Sequence, residues 1–195
     1  LNNPSLKKLE SDPCYQMVNA FYTNYLTKFK SKIDEFNNAI APEGRAYVRG
    51  LMEMMPYKTF YPDANSSLRL TYGSVQSYDP KDAVHFDYQT TLDGVMEKYN
   101  PEDFEFQAPQ KLLDLYKSKD FGRYALPNGK MPVAFITNND ITGGNSGSPV
   151  MDGEGNLIGL AFDGNWEAMS GDIVFDEKYK RTINVDIRYV LFLID

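Results

Sequence analysis

The stretch ITGGNSGSPVMDGEGNLIGLAFDGNW, residues 141–166, decides how the rest of the chain is read. It sets Ser146 on a glycine-rich turn. A serine hydroxyl is a weak nucleophile, so catalysis needs it exposed, needs a base for its proton, and needs donors for the oxyanion. Glycine accepts the backbone angles of a sharp bend and lets a substrate approach the main chain. In GGNSGSP the N–H groups of Gly144 and Ser146 can therefore converge on a carbonyl oxygen beside the Ser146 hydroxyl. The flanking segments SPVMD and NLIGLAFDG, joined by GEGN, predict a hairpin. No Gly-Lys-Ser/Thr follows the glycines, which excludes a phosphate loop. On its own a Gly-x-Ser-Gly turn is common and carries no chemistry.

Working outward, MPVAFIT predicts a strand leading into the turn. TINVDIRYVLFLI predicts a short strand and then a helix with Ile187, Val190, Leu191 and Ile194 on one face. Upstream, SLRLTYGSV alternates Leu68, Leu70 and Tyr72, and AVHFDYQTT alternates Val84, Phe86 and Tyr88, as half-buried strands do. TTLDGVMEKY starts on a capping threonine and predicts a short helix. APQKLLDLYKSKDFG predicts a stronger one, with Pro109 near its start and Gly122 past its end.

The first third is different. Ser11 or Asp12 can cap a helix that opens on Pro13. Val18, Tyr22, Tyr25, Phe29, Ile33, Phe36 and Ile40 then recur at steps of three and four. APEGR, residues 41–45, is expected to end this helix. A second one carries Tyr47, Val48, Leu51, Met52 and Met55, giving a helical hairpin whose apolar faces need further protein to cover them. The reading is a helical piece over residues 1–60 and a mainly β domain over residues 61–195, with the boundary near 57–65.

Composition narrows the function. An apolar share of 42% and an aromatic share of 14% suit a packed core. The net charge of −7, from 20 basic and 27 acidic residues, argues against nucleic acid and anionic membranes as partners. The single cysteine, Cys14, excludes an internal disulfide and a cysteine-rich zinc site. PEDFE and FDEK lack the spacing of a calcium loop, so no metal site is expected.

The longer string NDITGGNSGSPV, with LIGLAFDGNWE, SGDI and RTINVDIRYVLF behind it, resembles the nucleophile segment of chymotrypsin-like peptidases. More specifically, it is similar to the C-terminal part of the bacterial dipeptidyl-peptidases 7 and 11, the forty-sixth serine-peptidase family. The resemblance runs from about Leu68 to Asp195. It implies a chymotrypsin-like second β-barrel, with residues before 57 as the tail of an inserted α-helical domain. It further implies Ser146 as nucleophile, Gly144 with Ser146 as oxyanion hole, and Asp163 as the group that meets the free amino terminus of a peptide substrate. Gly164 falls where an arginine in this family favours acidic side chains. Glycine there implies an open pocket for apolar side chains, the dipeptidyl-peptidase 7 pattern.

The resemblance also implies that histidine and aspartate come from the first barrel. His85, the one histidine, lies on the polar side of a strand next to Asp87 and is expected to be a solvated strand residue. Trp166 is expected to pack under the pocket. The chain begins without methionine and stops inside RYVLFLID, so it is expected to be a fragment whose partner is the upstream half of the same polypeptide. The implied whole is a secreted, periplasmic or cell-surface enzyme of a Gram-negative bacterium, acting on peptides without cofactors and with room for a homodimer. Two other readings stay open: an endopeptidase of the same fold, and a non-catalytic β-barrel interaction domain.

Overall fold

The computed structural model describes residues 5–60, 62, 65–171 and 173–195. It divides the chain into two compact units, Leu1–Ser67 and Leu68–Asp195. The boundary expected at 60/61 borders Tyr61, Asp63 and Ala64, which lie outside the described residues.

The first unit is helical. A short helix α1 (Leu6–Glu10) precedes α2 (Pro13–Asn24), which Asp12 caps by accepting the Tyr15 N–H at 3.0 Å. A π-turn over Tyr25–Phe29 joins α2 to α3 (Lys30–Met54). The expected hairpin at APEGR is absent: Pro42 and Gly44 lie inside α3. Proline removes one ladder hydrogen bond, a cost of about 3 kcal/mol. Yet Ile40 and Tyr47 are seven residues, two turns, apart, so the apolar stripe passes Pro42 in phase and the helix continues. No residue of these helices is buried within the chain. Among the described residues no helix is long and apolar enough to cross a membrane.

The second unit is built on β. Strands β1 (Tyr78–Lys81) and β2 (Val84–Phe86) pair as a hairpin. After β3 (Gln89–Thr91) come α4 (Leu92–Lys98) and α5 (Gln110–Ser118). Then follow β4 (Pro132–Thr137), β5 (Pro149–Met151), β6 (Leu157–Gly164), β7 (Thr182–Asp186) and α6 (Ile187–Ile194). The five strands from β3 onward form one antiparallel sheet in the order β3-β4-β7-β6-β5. The expected β unit is thus present as two antiparallel sheets mixed with helices, and it follows the helical unit in the sequence.

Two local expectations shift. Thr91 stands at the N-cap of α4 without accepting a side-chain hydrogen bond. Gly122 does lie past the end of α5, but the helix stops earlier, at Ser118, and Lys119 rather than the glycine takes the left-handed C-cap conformation at φ 56°.

The core joins the helices to the sheet. Leu92, Leu112, Phe121, Tyr124 and Met131 are buried together, with Val133, Tyr189 and Phe192 packed against them. Phe192 of α6 meets Phe121 edge-on at 6.0 Å. At the margin, Asp93 accepts from the Tyr116 hydroxyl at 2.9 Å and pairs with Lys130 at 3.1 Å. Lys130 foremost, with Tyr116, holds the Asp93 carboxyl below the usual carboxylate range. A carboxyl depressed in the native state stabilises it fully above the unfolded value, and that contribution fades as pH falls through the native one. Asp93→Asn should therefore lower the urea midpoint at pH 7. The gap to the unsubstituted protein should close as pH drops below about 4.

Candidate active site

Ser146 lies in the loop between β4 and β5. Its neighbours Gly144 (φ 99°) and Gly147 (φ 81°) both occupy the left-handed region that favours glycine. Ser146 is exposed, and its Oγ donates to the Phe162 carbonyl at 3.3 Å. Two backbone bonds fasten the loop to β6. Gly147 N–H donates to Ala161 O at 2.7 Å, and Ala161 N–H donates to Ser148 O at 3.0 Å. Among the described residues the N–H groups of Gly144 and Ser146 have no acceptor, so both remain available to an oxyanion.

Directly beyond Ala161 the β6–β7 register slips. Ala161 faces Asn184 but Asp163 faces Ile183, leaving Phe162 as an extra residue. Such a bulge bends a strand and re-aims its side chains. Here it turns the Phe162 carbonyl to Ser146 and leaves Asp163 exposed on the rim, with Oδ1 accepting from Gly164 N–H at 2.8 Å. Gly164 pairs with Thr182, and a Cβ at this position would stand 2.9 Å from Ala168 Cβ.

The next residue anchors the turn. Buried Asn165 exchanges two bonds with Arg181: its N–H donates to Arg181 O at 2.9 Å and its Oδ1 accepts Arg181 N–H at 2.8 Å. Its amide also donates to Tyr179 O at 2.7 Å and to Glu167 at 2.9 Å. The buried Arg181 guanidinium is satisfied by the carbonyls of Gln76, Ser77, Glu177 and Lys180, and burial lowers its pKa. Trp166 does not pack under a pocket. It is 85% exposed, because Asn165 supplies the buried anchor of this turn.

The segment before β1 contains the main surprise. Residues 68–74 form no strand, and only Val75 bridges to Thr137. The period of two is real, but the inward set is the polar one. Leu68, Leu70 and Tyr72 are 100%, 83% and 87% exposed. Between them, Arg69 Nη2 donates to Thr142 Oγ1 at 3.1 Å and to Asn145 Oδ1 at 3.3 Å, and Thr71 Oγ1 donates to Asp140 O at 2.8 Å. Ser74 N–H donates to Asn138 Oδ1 at 2.7 Å. Gly73 allows this approach, since a Cβ there would stand 2.5 Å from Asn138 Oδ1 and 2.7 Å from Asn139 N. The segment is a strap along the serine loop.

Two residues of the opposite flank also reach the loop. Thr182 Oγ1 donates to Asn139 O at 2.8 Å. The Lys180 ammonium, its side chain only 4% exposed, lies 3.4 Å from Asp140 and 4.6 Å from the centre of the Phe175 ring.

His85 stands apart from this constellation. Its Nδ1 is 2.7 Å from Asp79 Oδ1 across the β1–β2 hairpin, and both side chains are exposed. The expected neighbour Asp87 instead accepts the N–H of Tyr88 at 2.6 Å. Among the described residues no group of three His, Cys, Asp or Glu side chains could hold a metal ion. Ser146, the Gly144 and Ser146 donors, Asp163 and Gly164 thus cluster on one loop and the adjoining strand. Arg69, Thr142, Asn145, Asn165 and Lys180 escaped the sequence reading because each has at least one partner distant in sequence.

The Lys180–Asp140 pair gives a direct test of the loop's support. Removing one partner of a buried pair leaves an uncompensated charge, so Asp140→Ala should cost about 3 kcal/mol in urea unfolding. Adding Lys180→Met should recover much of that loss.

Comparison with known proteins is consistent along the whole chain. The family model Peptidase S46 matches residues 1–195. Dipeptidyl-peptidase 7 of Phocaeicola vulgatus is 55% identical over 195 residues, covering 100% of this chain and 27% of that protein. An Asp/Glu-specific dipeptidyl-peptidase of Flavobacterium psychrophilum is 48% identical over 190 residues, covering 97% of this chain and 26% of that protein. The crystal structure of Porphyromonas endodontalis DPP11 in complex with the dipeptide Arg-Glu superposes with a TM-score of 0.83. It is 42% identical and covers 99% of this chain and 28% of that one. The chain thus spans about a quarter of the length of the curated relatives it matches.

Proposed function

The chain belongs to the peptidase S46 family, and on that footing we propose that it is the nucleophile-bearing part of a longer serine dipeptidyl-peptidase. One observation carries the reading. Ser146 is exposed between two left-handed glycines, beside N–H donors that have no acceptor among the described residues, with the Asp163 carboxylate just past a bulge on the neighbouring strand.

In the proposed reaction, Ser146 Oγ attacks the carbonyl after the second residue of a peptide. Its proton passes to a histidine outside this chain, oriented by an aspartate also outside it. At rest that proton is engaged with the Phe162 carbonyl, so the incoming base has to replace this bond. The tetrahedral oxyanion accepts from the Gly144 and Ser146 N–H groups, each donor worth about 10²–10³ in rate. The amine leaves with the proton, and water then releases the dipeptide from Ser146.

Asp163 receives the substrate's α-ammonium. An ammonium held here fixes the distance from the amino terminus to the reacting carbonyl, which selects dipeptide release over internal cleavage. Gly164 contributes no side chain, and that supports a preference for apolar residues at the cleavage site. Placement in the periplasm or at the surface of a Gram-negative cell, and a homodimer, go with this reading.

Three measurements on the complete polypeptide test it. It should react with a fluorophosphonate probe, Ser146→Ala should not, and residues 1–195 alone should stay unlabelled; labelling of that piece would place the base within it. Asp163→Asn should reduce kcat/KM on free dipeptidyl substrates by about 30-fold or more, while substrates with an acetylated amino terminus are poor for both proteins. Gly164→Arg should move the preference toward Asp and Glu, with Ala168 yielding to the new Cβ. An unchanged profile would remove Gly164 from the pocket.

A further inference from the structure

We propose that Arg69 is a positioning residue for the oxyanion hole, an inference that rests on the peptidase reading above. The sequence around Ser146 is GGNSG, with glycine angles on both sides that no other residue adopts readily. Glycine-rich backbone of this kind loses more conformational freedom on ordering than other sequence does. Yet an oxyanion hole accelerates a reaction only if its donors are aimed before charge develops.

Inside the loop, the support comes from Thr142 and Asn145, whose hydroxyl and amide oxygen also meet at 3.4 Å. Asn145 Oδ1 accepts the Thr142 N–H at 3.0 Å, and Asn145 N–H donates to Thr142 O at 3.2 Å. Those bonds close a small ring on which the Gly144 and Ser146 N–H groups ride. Arg69 locks that ring from outside. One guanidinium nitrogen, Nη2, spans Thr142 Oγ1 and Asn145 Oδ1, the two side chains that form it. The contact joins residues 73 and 76 positions apart, and it ends on the residue just before the nucleophile. Guanidinium is charged at every working pH, so it also brings fixed positive charge next to the donors.

The arrangement separates this task from folding. The strap that carries Arg69 is independently held by Thr71 to Asp140, Ser74 to Asn138, and the Gln76 N–H to Ile136 O at 3.2 Å. Truncating Arg69 removes the outer lock and leaves the strap in place.

The test compares Arg69→Ala, Arg69→Lys and Ser146→Ala in the complete polypeptide. For Arg69→Ala, kcat should fall about 30-fold while KM for a dipeptidyl substrate moves less than about twofold. Affinity for a dipeptide boronic acid, which mimics the tetrahedral species, should fall by the same factor. Inhibition by the product dipeptide should not change. Arg69→Lys keeps the charge and a donor nitrogen but on a shorter side chain, so it should recover part of kcat. A substitution that only loosened the fold would weaken product and boronate together and would not be rescued by lysine; that pattern overturns the proposal, as do an unaltered kcat and boronate affinity in Arg69→Ala. Should Arg69→Ala fail to fold, the same comparison is made on Arg69→Gln, which is expected to lose boronate affinity but not product affinity. Ser146→Ala tells the two readings apart. If it is inactive and the Arg69 variants behave as wild type, only the positioning role falls. If it keeps hydrolysing, the peptidase reading falls and takes this inference with it.

Discussion

Two backbone hydrogen bonds, Gly147 N–H to Ala161 O and Ala161 N–H to Ser148 O, tie the serine loop to the middle of β6. Ala161 in turn faces Asn184 on β7, and β7 pairs along β4, the strand that leads into the same loop. The loop is therefore stitched at both ends to one continuous stretch of sheet. Everything else in the site is arranged around that attachment. The bulge at Phe162 occurs one residue beyond it, the carbonyl turned out by the bulge meets the serine hydroxyl, and Asp163 follows on the rim. Buried support for this edge is polar rather than apolar: Thr182, Asn165, Lys180 and Arg181 each reach a backbone or side-chain group of the loop or its neighbour. Buried polar groups of this kind stabilise one arrangement because any other leaves them without partners.

What the sequence made legible follows from how local each signal is. GEGN between two apolar alternations specifies a hairpin by turn chemistry, and β5 and β6 lie where that predicts. Asp12 before Pro13, and the strand-to-helix change at Asp186, are equally local. The Ser146 loop was readable for the same reason, since glycines on both sides of a serine constrain a bend within a few residues. Pro42 misled because one residue's backbone preference weighs less than an apolar stripe that stays in phase across it.

The strap shows the other limit. Alternation in SLRLTYGSV reveals which side chains share a side but not which side faces protein. Apolar residues were assigned inward by the usual rule, and here Arg69 and Thr71 take that place because the loop beside them offers a carbonyl, a hydroxyl and an amide oxygen to be satisfied. Arg69 and Asn145 have no shared pattern in the chain, as their contact is made only when the sheet brings distant segments together. The same holds for Asn165, whose partners include residues 179 and 181.

The bulge has one consequence for how such a protein can change. Ser146 hangs from Ala161 on the β5 side, whereas Gly164 is seated against Thr182 on the β7 side, and the slipped residue lies between them. A new side chain at 164 presses on Ala168 and the turn behind it, not on the bonds that seat the serine. On the peptidase reading proposed above, reactivity and selectivity thus occupy separately mutable positions, three residues apart along β6. Under that reading, a lineage can retune what it cleaves by single substitutions without re-evolving the means of cleavage.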